Sequence, residues 1–106
     1  MKNLMNLYDD SNWEEAANYP QGTKRKILRD DNGGRTILLK LPKGFYMAPH
    51  SHTVTEQDFV LEGKYTVDGE EFVKGSYQIY SPHDEHGPFE SKEGALVLVI
   101  WDALKS

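Results

Sequence analysis

The sequence predicts an all-β domain, a sandwich or closed barrel of eight or so short strands. Turn signals recur along the chain from residue 20 onward, and the runs between them are short and rich in strand-forming residues. A second observation says what such a barrel would hold. Two histidines and a glutamate fall within seven residues, as His50-x-His52-x3-Glu56, bracketed by Gly44 and Gly63.

The first 22 residues read differently from the rest. Ser11-Asn12-Trp13-Glu14 has the Ser-x-x-Glu form of a capping box and predicts a short helical turn over 14–18, stopped by Pro20 and Gly22. The expected division is therefore an N-terminal segment at 1–22 and a barrel at 23–106. Residues 24–29 predict the first strand, ended by Asp30-Asp31-Asn32-Gly33-Gly34, a strong turn cluster. Residues 35–41 follow, with Ile37, Leu39 and Leu41 in period two, and Pro42-Lys43-Gly44 breaks the run. Residues 45–52 predict a strand that carries His50 and His52, and 57–61 and 64–67 flank Gly63. Asp68-Gly69 is a two-residue hairpin signal that brings Tyr65 and Val67 against Phe72. Residues 76–80 close at Ser81-Pro82, and 86–90 predict another short strand. The last run, 95–101, is apolar on both parities, so its outer face must also be covered. The N-terminal segment or a second copy in a homodimer is expected to cover it.

Composition narrows the function classes. At 106 residues the chain fits one domain, and 38% hydrophobic with 27% charged residues is ordinary for a globular protein. Net charge is −5, and the only cationic cluster, Lys24-Arg25-Lys26, is too short for a nucleic-acid surface. No apolar run is long enough to span a membrane as a helix, and the N-terminus does not read as a secretory signal. The chain has no cysteine, which excludes disulfides and thiolate ligands and is compatible with a cytoplasmic protein. Any metal must be held by nitrogen and oxygen.

His50 and His52, two apart on a strand, point to the same face. Imidazole and carboxylate are the usual ligands of a divalent transition metal. Glu56 lies four residues beyond His52, too far along an extended strand to share an ion with it, and a turn at 53–55 would bring it round. His86, after a proline-containing turn, can add a ligand from distant chain.

The spacing from Gly44 to Gly63 resembles the first cupin motif at every fixed position: glycine, five residues, His-x-His, three residues, glutamate, six residues, glycine. The second cupin motif is partly met from Gly75. His86 falls at its histidine, whereas Pro82 is one place late and His83 and Glu90 replace its glycine and asparagine. Trp13, Pro20-x-Gly22, Lys26-x-Leu28, Gly34-Arg35-Thr36, 60–63, 75–77 and 86–89 are similar to the ChrR-type cupin-like domain, found in zinc-binding anti-sigma factors and in small dioxygenase-like cupins. The resemblance implies a cupin-type double-stranded β-helix, a jelly-roll barrel. It also implies one divalent metal (Zn, Fe, Mn or Ni) held by His50, His52, Glu56 and His86, with a small-molecule ligand or substrate beside it.

Two residues are candidates for catalysis. If 45–52 is a regular strand, Tyr46 shares the histidine face, where it is either a pocket residue or an ordinary core tyrosine. His83 is either a proton shuttle or extra ligand at the barrel mouth, or an exposed loop residue. Gln57 and Asp58 are placed to hydrogen-bond a histidine nitrogen. Phe59, Tyr77, Tyr80, Phe89 and Trp101 read as packing residues that together make an apolar cavity above the metal. Two functions fit: a metal-dependent enzyme (a dioxygenase, isomerase or lyase) acting on a small organic molecule, and a non-catalytic zinc-binding sensor. With about twenty residues ahead of the barrel, no sigma-binding domain is expected, which favours the enzyme. A barrel that had lost its chemistry would not be expected to retain four ligands.

Overall fold

Alternating apolar residues turn one face of each strand inward, and the sheet they build curls around that face. A computed structural model describes residues 4–103. The strands are β1 (Glu14–Glu15), β2 (Lys24–Asp31), β3 (Gly34–Leu41), β4 (Phe45–Met47), β5 (Glu56–Val67), β6 (Glu70–Val73), β7 (Tyr77–Tyr80), β8 (Phe89–Ser91) and β9 (Ala95–Trp101). Their order is β1-β2-β3-β9-β5-β8-β4, with β6 and β7 also paired to β5, and every pairing is antiparallel. The expected all-β barrel is thus what the chain forms. Its core is the period-two set: Ile37, Leu39 and Leu41 from β3, Val97 and Val99 from β9, and Val60, Tyr65 and Val67 from β5.

β5 organises the barrel. Its first half pairs with β9 and β7, and its second half with β6 and β8. Where two separate strands are expected around Gly63, one strand of 12 residues runs through. The ladder with β9 slips one register between Val60 and Glu62, so Leu61 is an extra residue. Such a bulge bends the strand and lets one strand serve both sides of the barrel. The Asp68-Gly69 hairpin forms as expected, with Tyr65 opposite Phe72 and Val67 opposite Glu70.

The helical turn expected over 14–18 is absent, and no residue among those described is helical. Glu14 and Glu15 instead pair with Arg25 and Lys24 as β1 and β2. Opposite charges face each other across this pair, Arg25 Nε lying 3.0 Å from Glu14 Oε1 and Lys24 on Glu15. The capping serine is spent elsewhere, since the Ser11 hydroxyl donates to Asp9. Cross-strand pairing with long-range charge complementarity outweighs a marginal single helical turn. The segment ahead of β2 also sends Ala16 into the core and Tyr19 against it.

The strand expected at 45–52 is cut short at Met47, because Pro49 offers no N–H to continue the ladder. His50 survives only as an isolated bridge to His86. The outer residues Leu96, Leu98 and Ile100 of β9 are half-buried.

Gly63 has φ +71°, and a Cβ there would strike the carbonyl oxygen of Gly94 and press to 3.0 Å from the Cα of Ala95. Gly44 has a similar φ of +75° with nothing within 4 Å of its would-be Cβ. Gly44→Ala is therefore expected to cost about 1–2 kcal/mol, the left-handed penalty alone. Gly63→Ala should cost at least about 3 kcal/mol, because backbone overlap adds to that penalty. Urea denaturation of both variants compares them, and equal losses would refute this account of the β5–β9 approach.

Candidate metal centre

Two loops carry the histidines, and the backbone stitches the loops together. The N–H of His50 donates to the carbonyl of His86, and the N–H of His86 to the carbonyl of His50, each at 2.9 Å. A further bond runs from the N–H of His83 to the carbonyl of His52 at 2.7 Å. Residues far apart in sequence are thereby fixed side by side. The ring centroids of His50, His52 and His86 lie 4.8–5.7 Å apart. One nitrogen from each ring falls within 4.8 Å of the others, so the three are positioned to hold a metal ion.

The free ring nitrogens are defined by what the other nitrogens do. His50 Nδ1 lies 3.2 Å from the carbonyl of Ala48, and His86 Nδ1 lies 3.1 Å from the carbonyl of Asp84. A carbonyl only accepts, so both Nδ1 atoms carry hydrogen and both Nε2 atoms keep a lone pair. His86 Nε2 is buried and has no hydrogen-bond partner among the described residues. Burial, together with the neighbouring His50 and His52, holds its pKa below the ordinary histidine value, although Glu56 opposes the shift. A buried, neutral, unpartnered imidazole nitrogen is the form that ligates a metal. The donor set fits a divalent transition ion.

Glu56 opens β5 and is buried. It accepts a hydrogen bond from Trp101 Nε1 at 2.8 Å, and its Oε1 lies 2.9 Å from His52 Nε2. The expected turn at 53–55 is present as a bend, and it brings Glu56 back to the histidines. Beside Glu56 on the same face lies Asp58, also buried. Burial, then the charge of Glu56, pushes the Asp58 pKa well above the ordinary range, so it stays protonated and donates to Glu56. Burial alone would raise Glu56 too, but its bonds from His52, Asp58 and Trp101 hold it low and ionised. Tyr65 donates to Asp58 Oδ2 at 3.2 Å, and Tyr80 stacks on His86 with centroids 4.1 Å apart. Burial pushes both phenols upward, so they remain protonated.

A cavity of about 40 Å³ opens beside these groups, with His50, Glu56, Asp58 and Tyr65 on its polar side and residues such as Phe45 and Phe89 on its apolar side. That is room for a water or two, so a ligand larger than this must open it further.

Several expected roles fall out differently. Tyr46 points away from the cavity and is 54% exposed, because its neighbours Phe45 and Met47 take the inward parity. The break at Pro49 separates the parity of β4 from that of the histidines. His83 is exposed with φ +68°, and its contact with the site is through its backbone. Gln57 faces outward and accepts from the Tyr77 hydroxyl, while Asp58 bonds Glu56 and Tyr65, so neither hydrogen-bonds a histidine. Phe59 and Tyr77 pack together on the outer face, whereas Phe89 lines the cavity. Sequence reasoning missed Tyr65 and Tyr19 as cavity residues. Period two from Glu56 reaches Asp58 and Val60, but the bulge at Leu61 hands the inward parity to Tyr65 and Val67.

The buried proton has a measurable consequence. Asp58 holds a proton when folded at pH values where the unfolded chain releases it, so its contribution is complete below about pH 4 and is lost as pH rises through its folded value. Asp58→Asn keeps a donor for Glu56 and an acceptor for Tyr65 and has no proton to lose. In metal-stripped protein, the variant should therefore lose less stability than the parent between about pH 5 and pH 8. His86 contributes equally to both and cancels. Urea unfolding across that range checks it, and parallel curves would count against a protonated Asp58.

Comparisons with known proteins agree with this architecture. The sequence matches the model of the ChrR cupin-like domain over residues 2–105. No curated protein matches it. The fold is similar to that of the anti-sigma ChrR in complex with SigE from Rhodobacter sphaeroides, with 23% identity and a TM-score of 0.73 over 90% of this chain and 51% of that one. The chain thus spans about half the length of that relative. It is similar to an acetylacetone dioxygenase from Acinetobacter johnsonii, with 18% identity and a TM-score of 0.78 over 95% of this chain and 74% of that one. It is also similar to an RmlC-like cupin from Shewanella frigidimarina NCIMB 400, with 19% identity and a TM-score of 0.77 over 99% and 95% of the two chains. At these identities the likeness is one of fold. The family match runs through both histidine-bearing loops and every strand, and the chain therefore belongs to the ChrR cupin-like domain family.

Proposed function

We propose that this cupin is a metal-dependent enzyme acting on a small organic molecule bound at the metal. The observation that carries this reading is the convergence of three imidazoles beside a mostly apolar cavity. His50, His52 and His86 would hold the ion, and Glu56, already facing His52 Nε2, would be the fourth ligand. A divalent ion of iron, manganese, nickel or zinc supplies Lewis acidity towards a carbonyl or enolate oxygen and, if it is iron, a place for dioxygen. The carbonyls of Ala48 and Asp84 orient two of the imidazoles, and Trp101 and Asp58 hold the glutamate. The apolar walls exclude water from the bound molecule. Asp58, which holds its proton beside Glu56, offers an acid–base group within the cavity lining. Dioxygenase chemistry is supported by likeness of fold to an acetylacetone dioxygenase. A non-catalytic zinc-binding sensor is supported by likeness to ChrR.

Elemental analysis of protein purified without added metal, followed by oxygen-electrode assays on β-diketones, separates the two. Iron with dioxygen uptake supports the dioxygenase, whereas stoichiometric zinc without turnover supports the sensor. His86→Ala and His52→Ala are each expected to weaken metal binding by about tenfold or more. Full metal occupancy in both variants would sink the metal reading altogether.

A second proposal concerns assembly. The outer face of β9, β5 and β7 carries half-buried Leu98, Ile100 and Phe59 beside Tyr77 and Ile79, which are 47% and 53% exposed. Among the described residues, the N-terminal segment reaches one side of this face, where the Tyr8 hydroxyl donates to the carbonyl of Leu61 at 3.5 Å. A second copy would cover the rest as a homodimer. Sedimentation is expected to give twice the monomer mass, falling to the monomer in Ile79→Glu. A monomeric parent protein would dismiss the dimer.

A further inference from the structure

One row of residues crosses the inner face of the sheet at the mouth of the barrel. Arg35 of β3 is directly opposite Trp101 of β9, Trp101 is opposite Glu56 of β5, and Glu56 is opposite Tyr80 of β7. Residues directly opposite in antiparallel strands share a face, so Arg35 looks into the same space as Glu56, two strands or about 10 Å away. The Arg35 guanidinium carbon lies 5.9 Å from the Trp101 ring centroid, and the His52 ring lies 6.0 Å from the same centroid. Trp101 is thus flanked by the arginine and by a metal-site histidine.

Arg35 has an unmet need. Asp30 Oδ2 makes a loose ion pair with it at 3.9 Å, beyond hydrogen-bond reach, so the Nε is buried without a hydrogen-bond partner among the described residues while the side chain as a whole stays 35% exposed. The other arginine of this mouth, Arg25, is engaged by Glu14 at 3.0 Å. Both arginines, with His52, Tyr19 and Trp101, line a groove of about 420 Å³, into which Asp102 also faces. Tyr19 lines this groove and the inner cavity alike, and so stands between them. A buried guanidinium nitrogen without an acceptor is costly unless something supplies one.

We propose that Arg35 is a specificity-determining residue that binds a carboxylate of the substrate. The substrate class is then a small organic acid with a metal-chelating oxygen at one end and a carboxylate a few carbons away. This rests on the metal-centred reading above and adds the charge of the molecule to it. A carboxylate fits better than a phosphate, because one planar guanidinium satisfies a carboxylate through two parallel bonds, whereas a dianion would call for more free cations than this acidic chain offers here. Trp101 holds the arginine on its ring and Glu56 on its indole N–H, so it sets the distance between the anion subsite and the metal ligands.

Calorimetric titration of the metal-containing protein with 2-oxoglutarate and 2-oxopentanoate tests this, since the two probes share a chelating 2-oxo acid and differ in the remote carboxylate. The parent protein should bind 2-oxoglutarate about tenfold tighter or more, as a charge-assisted pair warrants. In Arg35→Gln, checked for fold by circular dichroism and for metal content, the two probes should bind within about twofold. Equal affinities in the parent, a preference that survives in Arg35→Gln, or no binding of either probe would overturn the proposal. Should Arg35→Gln not fold, the preference of the parent must fall as salt rises, and a salt-independent preference would overturn it equally. Repeating the titration after metal removal separates the two readings. A preference that depends on Arg35 but ignores the metal condemns the metal-centred reading alone, whereas metal-dependent binding without preference condemns the arginine subsite alone.

Discussion

The reciprocal pair of backbone hydrogen bonds between His50 and His86 is the constraint on which the rest of the site depends. Neither residue sits in a regular strand, so no extended ladder fixes either loop. Two N–H···O bonds in one narrow antiparallel pair fix the Cα atoms of both residues at a strand's spacing. The Nδ1 bonds to Ala48 and Asp84 then fix the rings. Because these acceptors lie two residues before each histidine, each loop orients its own ligand locally. The barrel has only to bring the two loops together.

The second constraint is electrostatic. Two carboxyl groups, Glu56 and Asp58, lie buried on one face of one strand, and two charges there would repel strongly in a medium of low polarity. The chain resolves this with one proton, held by Asp58, which leaves the charge on the residue that faces His52. Trp101 and Tyr65 supply the flanking donors, so the pair is satisfied from both ends. The same arrangement that stabilises a buried anion thus also decides which carboxylate is available to a cation.

Much of this was legible in the sequence. The period-two run located β3, the continuously apolar run at 95–101 located β9, Asp68-Gly69 located the hairpin, and the glycine-bounded histidine cluster located the loop that carries two of the three imidazoles. What escaped depended on single residues that shift parity. Pro49 detaches the histidines from β4 and turns Tyr46 outward, and the bulge at Leu61 brings Tyr65 inward. A pattern of alternation carries no record of an inserted residue, because a one-residue slip exchanges the two faces of everything that follows. The helical turn failed for a different reason. A capping box is a local signal, and the pairing of Glu14 with Arg25 and of Glu15 with Lys24 spans 11 and 9 residues, a contact that the signal does not contain.

The row Arg35–Trp101–Glu56 shows how the fold ties specificity to chemistry. All three residues occupy matched positions on neighbouring strands, so their spacing is set by the ladder and not by loop conformation. A displacement of β9 would move the anion-facing arginine and the metal-facing glutamate together. β9 resists such displacement because it is laddered to β3 on one side and to β5 on the other.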